Sequence, residues 1–83
     1  MSALRAGRAL LGLSQEEVAS LAGLSRQILV RIEKGEPNIL VESIEKVRAA
    51  LETRGVIFID GSPDHGPGVA LARRSPAKVR RGT

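Results

Sequence analysis

Cysteine, tryptophan and tyrosine are absent from the 83-residue sequence, and Phe58 is its only aromatic residue. Without cysteine the chain forms no disulfides or thiolate metal sites and has no cysteine nucleophile, which fits a protein of the reducing cytoplasm. No apolar run approaches the roughly 20 residues that span a bilayer, and the N-terminus lacks the apolar stretch of a secretion signal, so we expect no membrane partner. The hydrophobic residues, 42% of the total, are nearly all aliphatic, which favours a compact bundle of short helices.

Positive charge is concentrated at the C-terminus. The formal net charge is +4, but five of the thirteen Lys and Arg residues lie within residues 73–83, so residues 1–72 carry eight basic and nine acidic residues. The total charge therefore indicates only that the tail adds non-specific attraction to phosphates, and an argument for DNA must rest on local pattern. We expect the tail, residues 73–83, to be disordered without DNA.

The residues that could carry catalysis or bind metal are few and poorly arranged. His65 is the only histidine and lies in a loop with Asp60 and Asp64, but one loop offers no buried, oriented set of ligands. No serine lies in a nucleophile motif, and the Gly-Pro-Gly sequence at 66–68 lacks the strand-to-helix context of a phosphate-binding loop. We therefore expect no enzyme, no metal site and no cofactor.

Apolar periodicity predicts four short helices, at about residues 3–12, 15–22, 26–34 and 40–54. A glycine ends each of them: Gly12, Gly23, Gly35 and Gly55. Ser14 and Glu17 form a capping box at the start of the second helix, and Ser25 is a good N-cap for the third. On the third helix, Leu29 and Ile32 are expected to face inward.

The apolar residues of the fourth helix recur at steps of four, three and four: Leu40, Ile44, Val47 and Leu51. After this helix the spacing of the apolar residues changes. The β-branched and aromatic run at 56–59 predicts a strand, and a weaker run at 69–72 predicts a loose hairpin with it. Because two strands seldom stand alone in water, we expect the strand at 56–59 to pair with the same strand of a second subunit.

Two short helices joined across a glycine, the second led by polar and basic residues, form the arrangement that places one helix in the major groove. The stretch at 15–35, QEEVASLAGLSRQILVRIEKG, closely resembles the helix-turn-helix of the phage repressor and Cro family, also called XRE-like. The similarity covers about residues 3–54, and Ala19 matches the small residue where the two helices touch. The segment at 49–60, with Gly-Pro-Gly-Val at 66–69, resembles the ending of a compact bacterial subgroup with a C-terminal dimerisation strand.

The resemblance implies a mainly α fold: a four-to-five-helix Cro/repressor-like helix-turn-helix domain with a short C-terminal β-strand or hairpin. The implied organisation is a DNA-binding domain at residues 1–55, a dimerisation strand or hairpin at 56–72 and a basic disordered tail at 73–83. It also implies an internal ion pair between Arg8 and Glu33, since one unpaired charge in a packed interior is costly.

Carried over residue by residue, the resemblance implies DNA contacts by five residues of the second and third helices: Gln15, Ser25, Arg26, Gln27 and Arg31. Val30 and Lys34, which the family pattern does not supply, complete the predicted DNA-binding set. The family pattern sets Gln15 against the DNA backbone and gives Ser25 a phosphate contact. The pattern places three long polar side chains on the face of the third helix that contacts the bases: Arg26, Gln27 and Arg31. Arginine can donate twice to guanine, and a glutamine amide can both donate to and accept from adenine.

Two pairs of residues allow two interpretations each. Ile28 and Val30 make the third helix more apolar than the family pattern, and they either touch thymine methyl groups or pack against the loop after the helix. Arg5 and Lys34 either touch phosphates or are solvated surface charges.

These residues predict a sequence-specific DNA-binding transcriptional regulator, a homodimeric repressor bound to an inverted-repeat operator and, by resemblance, autoregulatory. One alternative is the antitoxin of a toxin–antitoxin pair, whose tail becomes ordered on a partner enzyme and blocks it. Another is a protein-interaction adaptor that keeps the helical scaffold without binding DNA. The intact Arg26, Gln27 and Arg31 count against the adaptor. The sequence does not reveal the operator, the regulated genes, an inducer, or whether the protein represses or activates.

Overall fold

A computed structural model describes residues 3–73 of the chain. Four helices are followed by an antiparallel hairpin: α1 (Ala3–Leu11), α2 (Gln15–Ala22), α3 (Arg26–Lys34), α4 (Val41–Thr53), β1 (Val56–Ile59) and β2 (Gly68–Leu71). The expected mainly helical domain with a C-terminal hairpin is confirmed. The expectation of a disordered tail concerns residues 73–83, of which all but Arg73 lie outside the described part of the chain.

The ends of α2 and α3 follow from local sequence. The Ser14 hydroxyl accepts a hydrogen bond from the Glu17 amide at 3.0 Å, and the Glu17 carboxylate accepts one from the Ser14 amide at 2.8 Å. This capping box satisfies amide groups that the first turn of a helix cannot pair by itself. Ser25 caps α3 in the same way, accepting from the Ile28 amide at 3.2 Å. The turn between the helices needs the left-handed conformation of Gly23, with φ of 72°.

The core is a single aliphatic cluster contributed by α2, α3, α4 and β1: Val18, Ala19, Leu29, Ile32, Val47, Leu51 and Val56. The predicted inward positions of Leu29 and Ile32 are confirmed, since 0% and 6% of their surfaces are exposed. Ala19 is buried between the helices, as the family pattern implies for a small residue there. This packing fixes α3 rigidly against the rest of the domain.

Two apolar residues of the pattern predicted for the fourth helix, Leu40 and Ile44, are exposed instead of buried. Leu40 precedes the first residue of α4 as its N-cap, so it lies outside the helical face that its spacing suggested, and 68% of its surface is exposed. Ile44 lies in an open groove beside Leu4 and Phe58. Leu21 on α2 is also exposed. In addition, α4 ends with Arg54 as its C-cap, one residue before the predicted Gly55.

The hairpin packs against the first helix through a close approach at Gly7. A Cβ atom at that position would lie 3.1 Å from Cγ1 of Val56 and 3.4 Å from Cδ1 of Leu51, so any larger residue would require Val56 to shift. Farther along β1, the guanidinium of Arg48 lies 4.8 Å from the centre of the Phe58 ring. These contacts join the hairpin to both α1 and α4.

Strand β1 finds its partner within the same chain. It pairs antiparallel with β2, with Val56 opposite Leu71 and Ile59 opposite Gly68. The two strands form a two-stranded sheet in the described residues. The expected pairing of β1 with a second subunit stays a prediction.

Candidate nucleic-acid interface

Helix α3 has one buried face and one exposed face. Because successive residues turn by about 100° around a helix, one arc of roughly 140° carries five of the predicted DNA-binding residues. We call this surface the exposed arc: Arg26, Gln27, Val30, Arg31 and Lys34. Val30 is half-buried and the other four side chains are exposed, whereas Leu29 and Ile32 face the core. The exposed arc therefore presents three cationic groups and an amide on a rigid support.

Gln15, the first residue of α2, connects this arc to the interior. Its Nε2 donates to Oε1 of Glu33 at 3.0 Å, and its Oε1 accepts from Nη2 of Arg26 at 3.2 Å. The first contact sets the orientation of the amide, since only its nitrogen can donate to a carboxylate. The start of α2 is thereby linked to the first residue of α3.

Glu33 receives its strongest contacts from Arg8. The Arg8 Nε donates to Oε2 at 2.7 Å and Nη2 donates to Oε1 at 3.0 Å, while Nη1 donates to the Leu13 carbonyl at 3.0 Å. Burial alone would raise the pKa of Glu33, but the hydrogen bonds from Arg8 and Gln15 outweigh it and lower that pKa. The same pair raises the pKa of Arg8. The expected internal ion pair is present and forms the base of the site.

A shallow hollow lies between the first three helices, beside the exposed arc. Its walls combine basic, polar and apolar side chains: Arg5, Arg8, Gln15, Val30, Glu33 and Lys34. Arg5 and Lys34 thus line the same hollow. For both of them the sequence allowed either a phosphate contact or a solvated surface charge. A cationic rim of this kind suits an anionic backbone.

Arg31 has a partner that sequence reasoning missed. Its Nε donates to Oε1 of Glu36 at 3.0 Å, and both side chains are about two-fifths exposed, at 44% and 40%. Glu36 comes within reach because Gly35 takes a left-handed conformation, with φ of 74°, and turns the chain back after α3. The sequence feature that could have predicted this ion pair is the acidic residue directly after the glycine that ends α3.

A protein-family model for the helix-turn-helix matches residues 4–57. The chain belongs to this XRE-type helix-turn-helix family. Comparison with curated proteins and with solved structures gave no match. As a member of the family, the helix-turn-helix protein is a DNA-binding transcriptional regulator.

The contacts of Ser25 and Ile28 within the helix-turn-helix protein bear on the roles predicted for these residues. The Ser25 oxygen caps α3, while its hydroxyl hydrogen can still be donated. Ile28 is half-buried and packs against the buried cluster, and its expected contact with a thymine methyl group stays a prediction. Val30 is not part of that packing and lies at the hollow instead.

The remaining expectations from the sequence concern metal ions, His65 and membranes. Between residues 3 and 73, no three His, Cys, Asp or Glu side chains converge as a metal site would require. His65 places its Nδ1 2.8 Å from the Gly66 carbonyl within its own turn. Within that same span, no helix has the length and hydropathy to cross a bilayer.

Proposed function

We propose that this protein is a homodimeric repressor that binds an inverted-repeat operator in double-stranded DNA and acts in the cytoplasm. The observation that carries the proposal is that Arg26, Gln27 and Arg31 share the exposed arc while the opposite face of α3 is buried. Long cationic and amide side chains on a rigid helix match the donors and acceptors of base edges in the major groove.

Each residue of the arc has a role that its chemistry supports. Arg26 and Arg31 donate to guanine O6 and N7, and Gln27 donates to and accepts from adenine. Val30, which is half-buried and lines the hollow, contacts a thymine methyl group. A good bidentate pair discriminates between bases by about 1 to 3 kcal/mol.

Three further residues contact phosphates in this proposal. Gln15 keeps one N–H after its bond to Glu33, and Ser25 can donate its hydroxyl hydrogen while its oxygen caps the helix. Lys34 lies with Arg5 around the hollow, where a phosphate would meet positive charge. Such contacts position the protein without reading sequence, and they make affinity fall steeply with salt.

Residues 56–72 serve as the dimerisation element, and residues 1–55 as the DNA-binding domain. Ile57 and Ile59 lie on one face of β1 with 49% and 42% of their surfaces exposed. Apolar side chains on a small two-stranded sheet gain stability by burial against a second subunit. A symmetric pair of chains would place its two α3 helices in successive major grooves about 34 Å apart, which requires an inverted repeat.

The test is selection from a pool of randomised duplexes, followed by affinity titration and light scattering for mass. We expect an enriched inverted repeat, a dimer, and loss of sequence preference in the Arg26→Ala, Arg31→Ala double variant. The Lys46→Ala, Arg54→Ala double variant removes the same charge from α4 and its C-cap and should keep the preference. Equal affinity for the best selected duplex and random duplex would contradict the proposal.

The same variants separate the alternatives. An adaptor that does not bind DNA would keep its activity in the Arg26→Ala, Arg31→Ala variant, whereas a repressor would lose it. The antitoxin interpretation depends on residues 73–83, nearly all beyond the described part of the chain.

A further inference from the structure

The two arginines of the exposed arc are held by groups of different charge. Arg26 donates to the neutral amide oxygen of Gln15, whereas Arg31 donates to the carboxylate of Glu36. Arg26 therefore has a neutral partner, whereas the negative charge of Glu36 partly compensates the positive charge of Arg31. This difference matters because a phosphate attracts any cation, whereas a base edge binds tightly only a pair of donors that point at its acceptors.

Glu36 is fixed relative to Arg31 by the backbone as well as by the ion pair. The Glu36 amide donates to the Arg31 carbonyl at 3.2 Å, across the left-handed turn at Gly35. Pro37 follows, and a residue before proline is restricted to extended conformations. An exposed ion pair normally loses much of its benefit by ordering two flexible side chains, but here the backbone of the acidic partner is already ordered.

The geometry of the ion pair leaves the two terminal nitrogens of the Arg31 guanidinium available to donate to a base. Only Nε is bonded to Glu36, so Nη1 and Nη2 remain as two parallel donors with no other partner among the described residues. Two such donors match O6 and N7 of guanine. A phosphate approaching the same arginine would also approach the carboxylate, which repels it.

We propose that Glu36 is a specificity-determining residue that directs Arg31 toward a guanine and keeps it from binding phosphates. The inference rests on the proposed function, because it assigns a role within the same DNA site. Glu36 acts through Arg31 and is a positioning residue, so its removal should change base preference and non-specific affinity in opposite directions.

The test uses Glu36→Gln, which keeps the size of the side chain and removes its charge. Its matched control is Glu52→Gln, since Glu52 forms an ion pair with Arg48 on α4 of similar length, 3.2 Å, and similar exposure, 50% and 47%. Arg31→Ala identifies which operator position Arg31 reads, as the guanine whose preference disappears. Circular dichroism melting checks that each variant is folded.

We expect Glu36→Gln to reduce the guanine preference at that position by about threefold to tenfold, well within what a bidentate contact supplies. Affinity for random duplex should rise, and the slope of log affinity against log salt should steepen by up to about one, as Arg31 gains a phosphate. Glu52→Gln should leave the guanine preference unchanged. A guanine preference retained in Glu36→Gln at the level of Glu52→Gln would overturn this inference alone. A wild-type protein without any sequence preference would overturn the proposed function and this inference with it.

Discussion

Arg8 and Glu33 form a two-point ion pair between α1 and α3, with Nε to Oε2 at 2.7 Å and Nη2 to Oε1 at 3.0 Å. Only 5% of the Glu33 side chain is exposed, and the same carboxylate also accepts from Gln15. The Glu33 carboxylate thus joins α3, which carries the exposed arc, to both α1 and α2. Under the proposed function, fold stability and DNA recognition therefore both depend on Glu33.

Replacing Arg8 by alanine should strongly destabilise the fold. The change leaves the Glu33 carboxylate, of whose side chain 5% is exposed, without its main partner. Because 18% of the Arg8 side chain is exposed, the loss should stay below the roughly 3 to 5 kcal/mol that breaking a fully buried pair costs. Urea denaturation should show this as a lower midpoint. Arg31→Ala is the control, since its ion pair is exposed and should contribute no more than about 1 kcal/mol. Equal losses in the two variants would contradict the prediction.

Acid should weaken the fold through Glu33. The pKa of Glu33 is lowered in the folded protein, so its charge stabilises the fold at pH values above the ordinary carboxyl range. This contribution falls away as the pH drops below about 4 and through the folded-state pKa, because unfolding then takes up a proton. The free energy of unfolding, measured from pH 7 to pH 3, should fall less steeply in Glu33→Gln than in the wild type. Parallel curves for the two proteins would assign the acid sensitivity to other carboxylates.

Removing the capping box should destabilise α2. In Ser14→Ala the Glu17 amide loses its acceptor, and such a change costs about 1 kcal/mol. The pKa of Glu17 is lowered by its hydrogen bonds with Ser14, from the backbone first and then the side chain. Ser14→Ala removes only the side-chain bond and keeps the backbone donor, so the lowering of this pKa should be lost only in part. Thermal melting and carboxyl titration by NMR measure the two effects. Ser20→Ala, at an exposed position later in α2, should change neither.

A large side chain should not fit at position 7 without displacing the hairpin. Gly7→Leu would place atoms against Val56 and Leu51, and overpacking of this kind costs about 1 to 3 kcal/mol. Ala9→Leu adds an apolar side chain at an exposed position of α1 and should be tolerated. Chemical shifts of residues 56–59 report whether the hairpin stays in place. Unchanged hairpin shifts and an unchanged melting temperature in Gly7→Leu would rule out the close approach.

The fold could be predicted from the sequence to the extent that its features are local. The starts of α2 and α3 depend on Ser14 and Ser25, whose side chains bond to amides three residues away. The shared exposure of Arg26 and Arg31 follows from helical geometry alone. Such features need no knowledge of distant parts of the chain, and the structure agrees with them.

The features that escaped prediction depend on how elements meet. Periodicity indicated that Ile44 belongs to an apolar face, but not that the groove it faces would be open. The pairing of Arg31 with Glu36 spans five residues, a spacing that an uninterrupted helix does not bring together, and it depends on the left-handed turn at Gly35. The contact between Gln15 and Arg26 likewise requires the packing of two helices.

The stacking of Arg48 on Phe58 provides a built-in spectroscopic probe. Phe58 is the only Phe, Tyr or Trp of the chain, and the one other aromatic ring, the His65 imidazole, lies in the loop between β1 and β2. A ring-current shift of the Arg48 methylene protons is therefore expected from the Phe58 ring, which the Arg48 guanidinium contacts. Upfield Arg48 resonances would report that the hairpin is docked on α4, without any label. Their dependence on protein concentration or on added duplex would then follow the hairpin directly during association.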